Sequence, residues 1–281
     1  MYLEYCPYGD LGNLLMHHQN INQPIPEPLL WHIFESLVNA GLLMERRTVT
    51  QANGGSTEIV HRDFKPQNAF LGLRPDSAPG RDNWAAYPTI KLGDYGLAVV
   101  TSPTDARNPG IFVDAGTPRY HAPEQVSERG NPQRLTDKTN VYGVGITLMA
   151  LMDRLNAVGV QDEWAAAQAS VPQLSAQAVA SYSPELVALV SDCVAYDQNA
   201  RPSFSHLRAS ILRWTLGQGA LPQNDRAQGM RADTVQQRAQ IGLGADIYAL
   251  HSPIGQVLIP APPALIQLDF SSDDDDSDDE D

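Results

Sequence analysis

The sequence predicts an α+β fold that is mainly helical, and three observations carry that expectation. Leu30, Ile33, Phe34, Leu37, Val38 and Leu42 recur at three- and four-residue spacing from Pro28 onward, the period of a helix with one apolar face. Strand-like stretches are few and short: residues 1–6, the two ends of 59–71, and 90–92. After Pro123 the chain turns helical again, and residues 141–152 are apolar nearly all round, the pattern of a central buried helix.

The elements follow in order. Residues 1–6 read as a short strand, which Pro7, Gly9 and Gly12 break. The long amphipathic helix starts near Pro28. Residues 51–57 form a polar, glycine-containing loop, 59–71 a strand–loop–strand unit, and 72–88 a second polar loop holding three prolines. Past the strand at 90–92, residues 93–123 show no sustained period and read as one long ordered loop. Residues 164–180 are rich in Ala and Gln and read as helical, with Pro172 interrupting. Ser183-Pro184-Glu185 places a capping residue ahead of proline, a helix start; residues 204–216 are the last helix. Beyond Gly217 the periodicity is lost. From Ser271 onward disorder is expected, because like charges repel and little apolar surface is there to bury. Two regions result: 1–216, and an extension, 217–281, ending in an acidic tail at 271–281.

Composition narrows the function. The net charge is −14, but eight of the carboxylates crowd between Asp273 and Asp281, so the body is only mildly acidic. The arginines are scattered, with no basic run beyond Arg46-Arg47, which argues against a nucleic-acid partner. Two cysteines, Cys6 and Cys193, make no disulfide framework, and no Cys/His cluster has zinc-ligand spacing. That favours a reducing compartment. The start of the chain, with Glu4 and Asp10, does not read as a signal peptide. The apolar stretch 141–152 falls short of the about 20 residues that span a bilayer. The expectation is an intracellular protein, cytoplasmic or nuclear, with no membrane partner.

The chemistry concentrates in His61-Arg62-Asp63-Phe64-Lys65-Pro66-Gln67-Asn68. Phosphoryl transfer to a hydroxyl needs a carboxylate to orient it, a cation near the phosphate and an oxygen ligand for Mg²⁺. Asp63, Lys65 and Asn68 offer those three chemistries in close succession. Asp94-Tyr95-Gly96, following the strand at 90–92, places a hard oxygen ligand beside a glycine, which suits Mg²⁺. Gly116-Thr117-Pro118-Arg119-Tyr120-His121-Ala122-Pro123-Glu124 is a longer and more specific run, and Arg201-Pro202-Ser203 a weaker one.

With these motifs in this order, residues 1 to about 216 resemble the eukaryotic protein kinase family, Ser/Thr type. The resemblance implies a protein-kinase-like fold represented mainly by its helical C-terminal lobe. It implies Asp63 as catalytic base, Lys65 on the γ-phosphate, Asn68 and Asp94 on Mg²⁺, ATP as donor, and a protein with a Ser or Thr acceptor as partner. Lys65 two positions after Asp63, with Thr117 in the facing loop, resembles Ser/Thr rather than Tyr kinases. Residues 3–10 resemble the hinge: Leu3 as gatekeeper, backbone groups of Glu4 and Cys6 at the adenine edge, Asp10 at the ribose and Phe70 beneath the adenine. Arg62 matches a position that pairs with a phosphorylated activation loop, where Ser102, Thr104 and Thr117 lie. Glu124 and Arg201 match a buried ion pair. The Gly/Ser-rich stretch before Ile59 and the wording Asp-Phe-Lys-Pro-Gln-Asn resemble NIMA-like kinases.

Several departures set further expectations. The family's Gly-rich loop, strand lysine and helix glutamate precede the hinge, and the only lysines here are Lys65, Lys91 and Lys138. The N-terminal lobe is therefore expected to be largely absent from these residues, which are read as part of a longer protein and as transferring phosphate poorly alone. The alternative is a non-catalytic kinase-like scaffold; retention of Asp63, Lys65, Asn68 and Asp94 together counts against it. Tyr95 replaces the usual Phe. Asn140 replaces the Asp that opens the central helix, so Asn140→Asp is expected to stabilise the catalytic loop unless a nearby carbonyl already satisfies the amide.

Overall fold

The computed structural model describes residues 4–46, 57–72, 84, 87–127, 133–154 and 172–216. These are mostly helical. Helix α1 (Leu11–Asn20) is followed by the long α2 (Glu27–Arg46), then by the short strands β1 (Glu58–Val60), β2 (Ala69–Gly72), β3 (Thr89–Leu92) and β4 (Val99–Thr101). Helices α3 (Asp137–Asp153), α4 (Ala176–Ser181), α5 (Pro184–Cys193) and α6 (Phe204–Leu216) complete the order. The strands form two antiparallel pairs. Glu58, Ile59 and Val60 of β1 face Thr101, Val100 and Val99 of β4, and Ala69 to Gly72 of β2 face Leu92 to Thr89 of β3.

The core lies where α2 meets α3 and α6, and α5 packs on α3. Helix α2 is amphipathic as its spacing predicts: Leu30, Ile33, Phe34, Leu37 and Val38 are all buried. Helix α3 is buried from Thr139 to Met152 on every face, so its packing rather than its own propensity holds it. Thr136 starts it, accepting from Lys138 N while Thr139 Oγ1 accepts from Thr136 N. Ser183 caps α5 as its sequence predicts. Buried Glu27, at the start of α2, accepts from the N–H of Ser183 at 3.0 Å and from the indole of Trp31 at 3.1 Å, tying α2 to α5.

The structure corrects three sequence readings. Glu4 to Cys6 take no strand conformation; the segment pairs further along, where Tyr8 N donates to Leu71 O, Leu71 N donates to Gly9 O and Asp10 bridges to Phe70. Residues 1–3, with the gatekeeper reading of Leu3, lie outside the described residues. The loop at 72–88 is not wholly polar: Trp84 and Tyr87 are buried against His32 of α2, and the Trp84 indole donates to Glu35 at 2.7 Å. The stretch 93–123 contains β4, a three-residue strand too short to show a period. The expected loop at 51–57 lies, but for Thr57, outside the described residues, as do the first half of the helix at 164–180 and everything after 216, including the acidic tail.

Gly143 of α3 sits where a Cβ would come 2.5 Å from the Cβ of Phe64, in the loop that follows β1. Helical propensity alone favours Gly143→Ala by about 1 kcal/mol. Overpacking against a backbone-tied Phe64 Cβ costs about 1–3 kcal/mol, and the Ala form is expected to melt lower. A higher melting midpoint would refute this contact.

Burial pushes the Glu58 carboxyl up to about 7; the N–H of Asp137, 2.9 Å from Oε2, opposes this, while the charges of Asp137 and Glu45 add to it. The folded state therefore holds this proton more tightly than the unfolded chain. Stability is expected to fall as pH rises from about 4.5 to about 7 and to level off above. Glu58→Gln keeps an acceptor for Asp137 N and is expected to flatten that fall in melts taken across the range. An unchanged slope would show that Glu58 does not titrate there.

Candidate active site

The loop between β1 and β2 places His61, Arg62, Asp63, Lys65 and Asn68 around one buried carboxylate. Asp63 is 4% exposed and accepts four hydrogen bonds. Its Oδ1 takes the N–H of Thr117 at 2.8 Å and the Thr117 hydroxyl at 2.7 Å. Its Oδ2 takes Lys65 Nζ at 2.8 Å and Asn68 Nδ2 at 2.9 Å. Lys65 Nζ also donates to Thr117 Oγ1 at 2.9 Å, closing the ring. Burial would raise the Asp63 pKa, but the donors of Lys65 and Thr117, the Lys65 charge and the Asn68 amide outweigh it and hold the carboxyl below its ordinary value.

Asn68 gives its second N–H to the backbone O of Asp63 at 2.9 Å, which leaves Oδ1 as its unengaged atom. The neighbouring Gly93 N donates to Asn68 O at 2.9 Å, so Asp94 follows directly on the Asn68 backbone. Asp94 is exposed, has a left-handed backbone (φ 58°), and does not use its carboxylate to cap the turn that follows. One amide oxygen and one carboxylate is a donor set that fits Mg²⁺, which keeps waters and takes the rest of its ligands from phosphate.

His61 joins the two halves. Asp63 N donates to its Nδ1 at 3.3 Å, so the proton sits on Nε2, which donates to Gly93 O at 3.0 Å. Burial pushes the His61 pKa down, with the Gly93 contact and the Asp63 and Asp94 charges pulling the other way, and the ring is neutral. The Tyr95 ring, half exposed, meets His61 edge-on at 4.8 Å.

The remaining sequence candidates fall as follows. Arg62, with φ 67°, donates to the carbonyls of Leu97 (2.6 Å) and Phe112 (3.0 Å). It thus holds the long loop through its backbone. Glu124 and Arg201 form a two-pronged pair at 2.6 and 2.9 Å, both buried; Thr139 adds a bond to Glu124 at 2.9 Å, and Arg201 also donates to the carbonyls of Ala195, Lys138 and Tyr196. Asp10 uses Oδ1 to cap α1 through Asn13 N at 2.9 Å. The Glu4 side chain pairs with Lys91 of β3. Cys6 is half-buried near Gly72; burial raises its thiol pKa, Lys91 lowers it and Glu4 raises it, for a net rise. Phe70 lies against Gly93, where a Cβ would come 2.8 Å from its ring. The four hinge-side residues thus line the edge of the β2–β3 pair rather than converging on Asp63.

Sequence reading missed Gln125 and Arg134. Buried Gln125 donates to Arg62 O at 2.9 Å and to Ala115 O at 3.2 Å, stitching the loop between β1 and β2 to the segment at 115–125. Its only signal was its place immediately after Ala-Pro-Glu. Arg134 clamps the carbonyls of Ser102, Asp105 and Asn108, with no motif to betray it. Gly116, at φ 118°, is where a Cβ would strike Arg62 O at 2.3 Å, so only glycine fits between these two segments.

This fold and this arrangement are those of a protein kinase domain. The family description "Protein kinase domain" matches residues 1–211, and the chain belongs to that family. It is a distant homologue of the NIMA and Nek Ser/Thr kinases. It is similar to the G2-specific protein kinase nim-1 of Neurospora crassa, with 29% identity over 225 residues, 74% of this chain and 24% of that protein. Human serine/threonine-protein kinase Nek2 is 32% identical over 149 residues, 53% of this chain and 28% of the relative. The G2-specific protein kinase nimA of Emericella nidulans is 25% identical over 258 residues, 85% and 34% respectively. The chain thus spans about a quarter to a third of the length of these relatives. No helix among the described residues is long and apolar enough to cross a membrane.

Asn140 corrects the expectation drawn for it. It is buried at 1% exposure; Oδ1 accepts from His61 N at 2.9 Å, and Nδ2 donates to Ile59 O at 2.8 Å. The amide is matched on both sides, so the site is built around an amide. Asn140→Asp would set a carboxylate oxygen against a carbonyl and leave Ile59 O without its donor, a cost of about 1–3 kcal/mol. Thermal melts under identical conditions should show a lower midpoint for Asn140→Asp; a higher one would restore the original expectation.

Proposed function

We propose that these residues are the substrate-side lobe of a Ser/Thr protein kinase that transfers the γ-phosphate of ATP to protein hydroxyls. Residues 1–216 would form that lobe and 217–281 an extension from it. The carrying observation is the Asp63 carboxylate, ionised, buried and surrounded by donors from Lys65, Asn68 and Thr117. Its carboxylate oxygens accept four hydrogen bonds, one of them from the Thr117 hydroxyl at 2.7 Å. A substrate serine or threonine replaces that one bond with a bond of the same kind. Asp63 then orients the hydroxyl and takes up its proton as the bond from that oxygen to the γ-phosphorus forms and the bond from the γ-phosphorus to the departing ADP breaks, a positioning and general-base role. Lys65, within reach of both Asp63 and Thr117, supplies positive charge beside the acceptor.

Asn68 Oδ1 and the Asp94 carboxylate would hold Mg²⁺. The ion, when bound, neutralises phosphate charge. The scaffold reading gains no support at Asn140, because the amide keeps the catalytic loop anchored at both Ile59 and His61.

In the full-length protein, Asp63→Asn is expected to lower kcat for phosphate transfer from Mg-ATP by about 100-fold or more, with circular dichroism unchanged. Transfer that persists undiminished would remove Asp63 from the reaction.

A further inference from the structure

The segment that begins at Thr117 is fastened to Asp63. Thr117 is tied to Asp63 through both N and Oγ1, and Tyr120, buried, anchors the other end of the turn Pro118–Tyr120. Between them Arg119 is exposed. It lies two residues from Thr117, at most about 7 Å along the chain.

The other described cations around this site are all engaged. Lys65 is held by Asp63 and Thr117, Arg62 by the Leu97 and Phe112 carbonyls, Arg107 by Asp105, and Arg134 by three carbonyls. Arg119 has no hydrogen bond or ion pair among the described residues. The nearby carboxylates in sequence do not compete for it: Asp114 accepts from Ser127 N at 2.9 Å, and Glu124 is paired with Arg201. A free guanidinium is a planar fork that matches a carboxylate.

We infer that Arg119 is a specificity-determining residue, selecting acceptor serines or threonines that have an acidic residue beside them. This rests on the kinase reading above. The protein's own sequence contains such a site, since Ser277 lies between Asp276 and Asp278.

The test uses the full-length protein and two short peptides that differ only beside a single serine, with aspartate in one and asparagine in the other. Transfer from Mg-ATP is measured, and peptide binding is followed separately by fluorescence anisotropy. The aspartate peptide is expected to be favoured about two- to fivefold in both, the range of an exposed ion pair. The preference should shrink at high salt. It should vanish in Arg119→Ala and turn toward a lysine-flanked peptide in Arg119→Glu. Equal use of the two peptides, or a preference that survives Arg119→Ala, overturns the inference. Absence of transfer to either peptide counts against the kinase reading alone, because anisotropy still decides the role of Arg119.

Discussion

The first two turns of α3 carry the candidate site, because two separate loops are fastened to them by three buried contacts. Thr139 bonds Glu124, which holds the end of the segment at 93–124 against Arg201. Asn140 bonds Ile59 O and His61 N, fixing the entry to the loop between β1 and β2. Gly143 admits Phe64 against the helix backbone. A helix buried on all faces from Thr139 to Met152 has little freedom to shift, so the loops attached to it inherit its rigidity. Burial of α3 is therefore a condition of the Asp63 geometry as well as of stability.

Charge at the site is handled by supplying donors rather than by exposing the groups to water. Asp63 stays ionised despite burial because two side-chain donors, one hydroxyl and one backbone N–H converge on it. His61, in the same neighbourhood, is kept neutral by burial and serves as a hydrogen-bonded strut between Asp63 N and Gly93 O. Asn140 follows the same logic. A neutral amide that both gives and receives can bridge a carbonyl and an N–H, which a carboxylate cannot.

The long segment between Asp94 and Glu124 is held through its backbone. Arg62 grips the Leu97 and Phe112 carbonyls, Arg134 those of Ser102, Asp105 and Asn108, and Gln125 that of Ala115. Backbone acceptors are present whatever the side chain. Those carbonyl contacts fix no residue type, whereas the buried side chains of Asn108, Phe112 and Tyr120 and the Thr117 hydroxyl hold the same segment by residue type.

The sequence by itself determined the helical frame and the chemistry available. The period of α2, the uniform apolarity of α3 and the Ser-Pro start of α5 are local signals that burial and capping obey. Asp63, Lys65 and Asn68 were legible because their residue types follow one another at short spacing, and Asp94 because it follows a short strand and stands beside a glycine. What lay beyond local pattern was decided by contacts between residues far apart in the chain. Gln125 and Arg134 act on carbonyls, which carry no residue identity for a motif to record. Trp84 and Tyr87 sit in a stretch whose composition reads as polar loop, and only the presence of His32 and Glu35 on α2 draws them inward. Asn140 looked like a weakened aspartate until Ile59 O was found 2.8 Å from its amide nitrogen. An amide and a carboxylate have nearly the same shape, and which one a buried site stabilises depends on whether donors or acceptors face it, a fact set by tertiary structure alone.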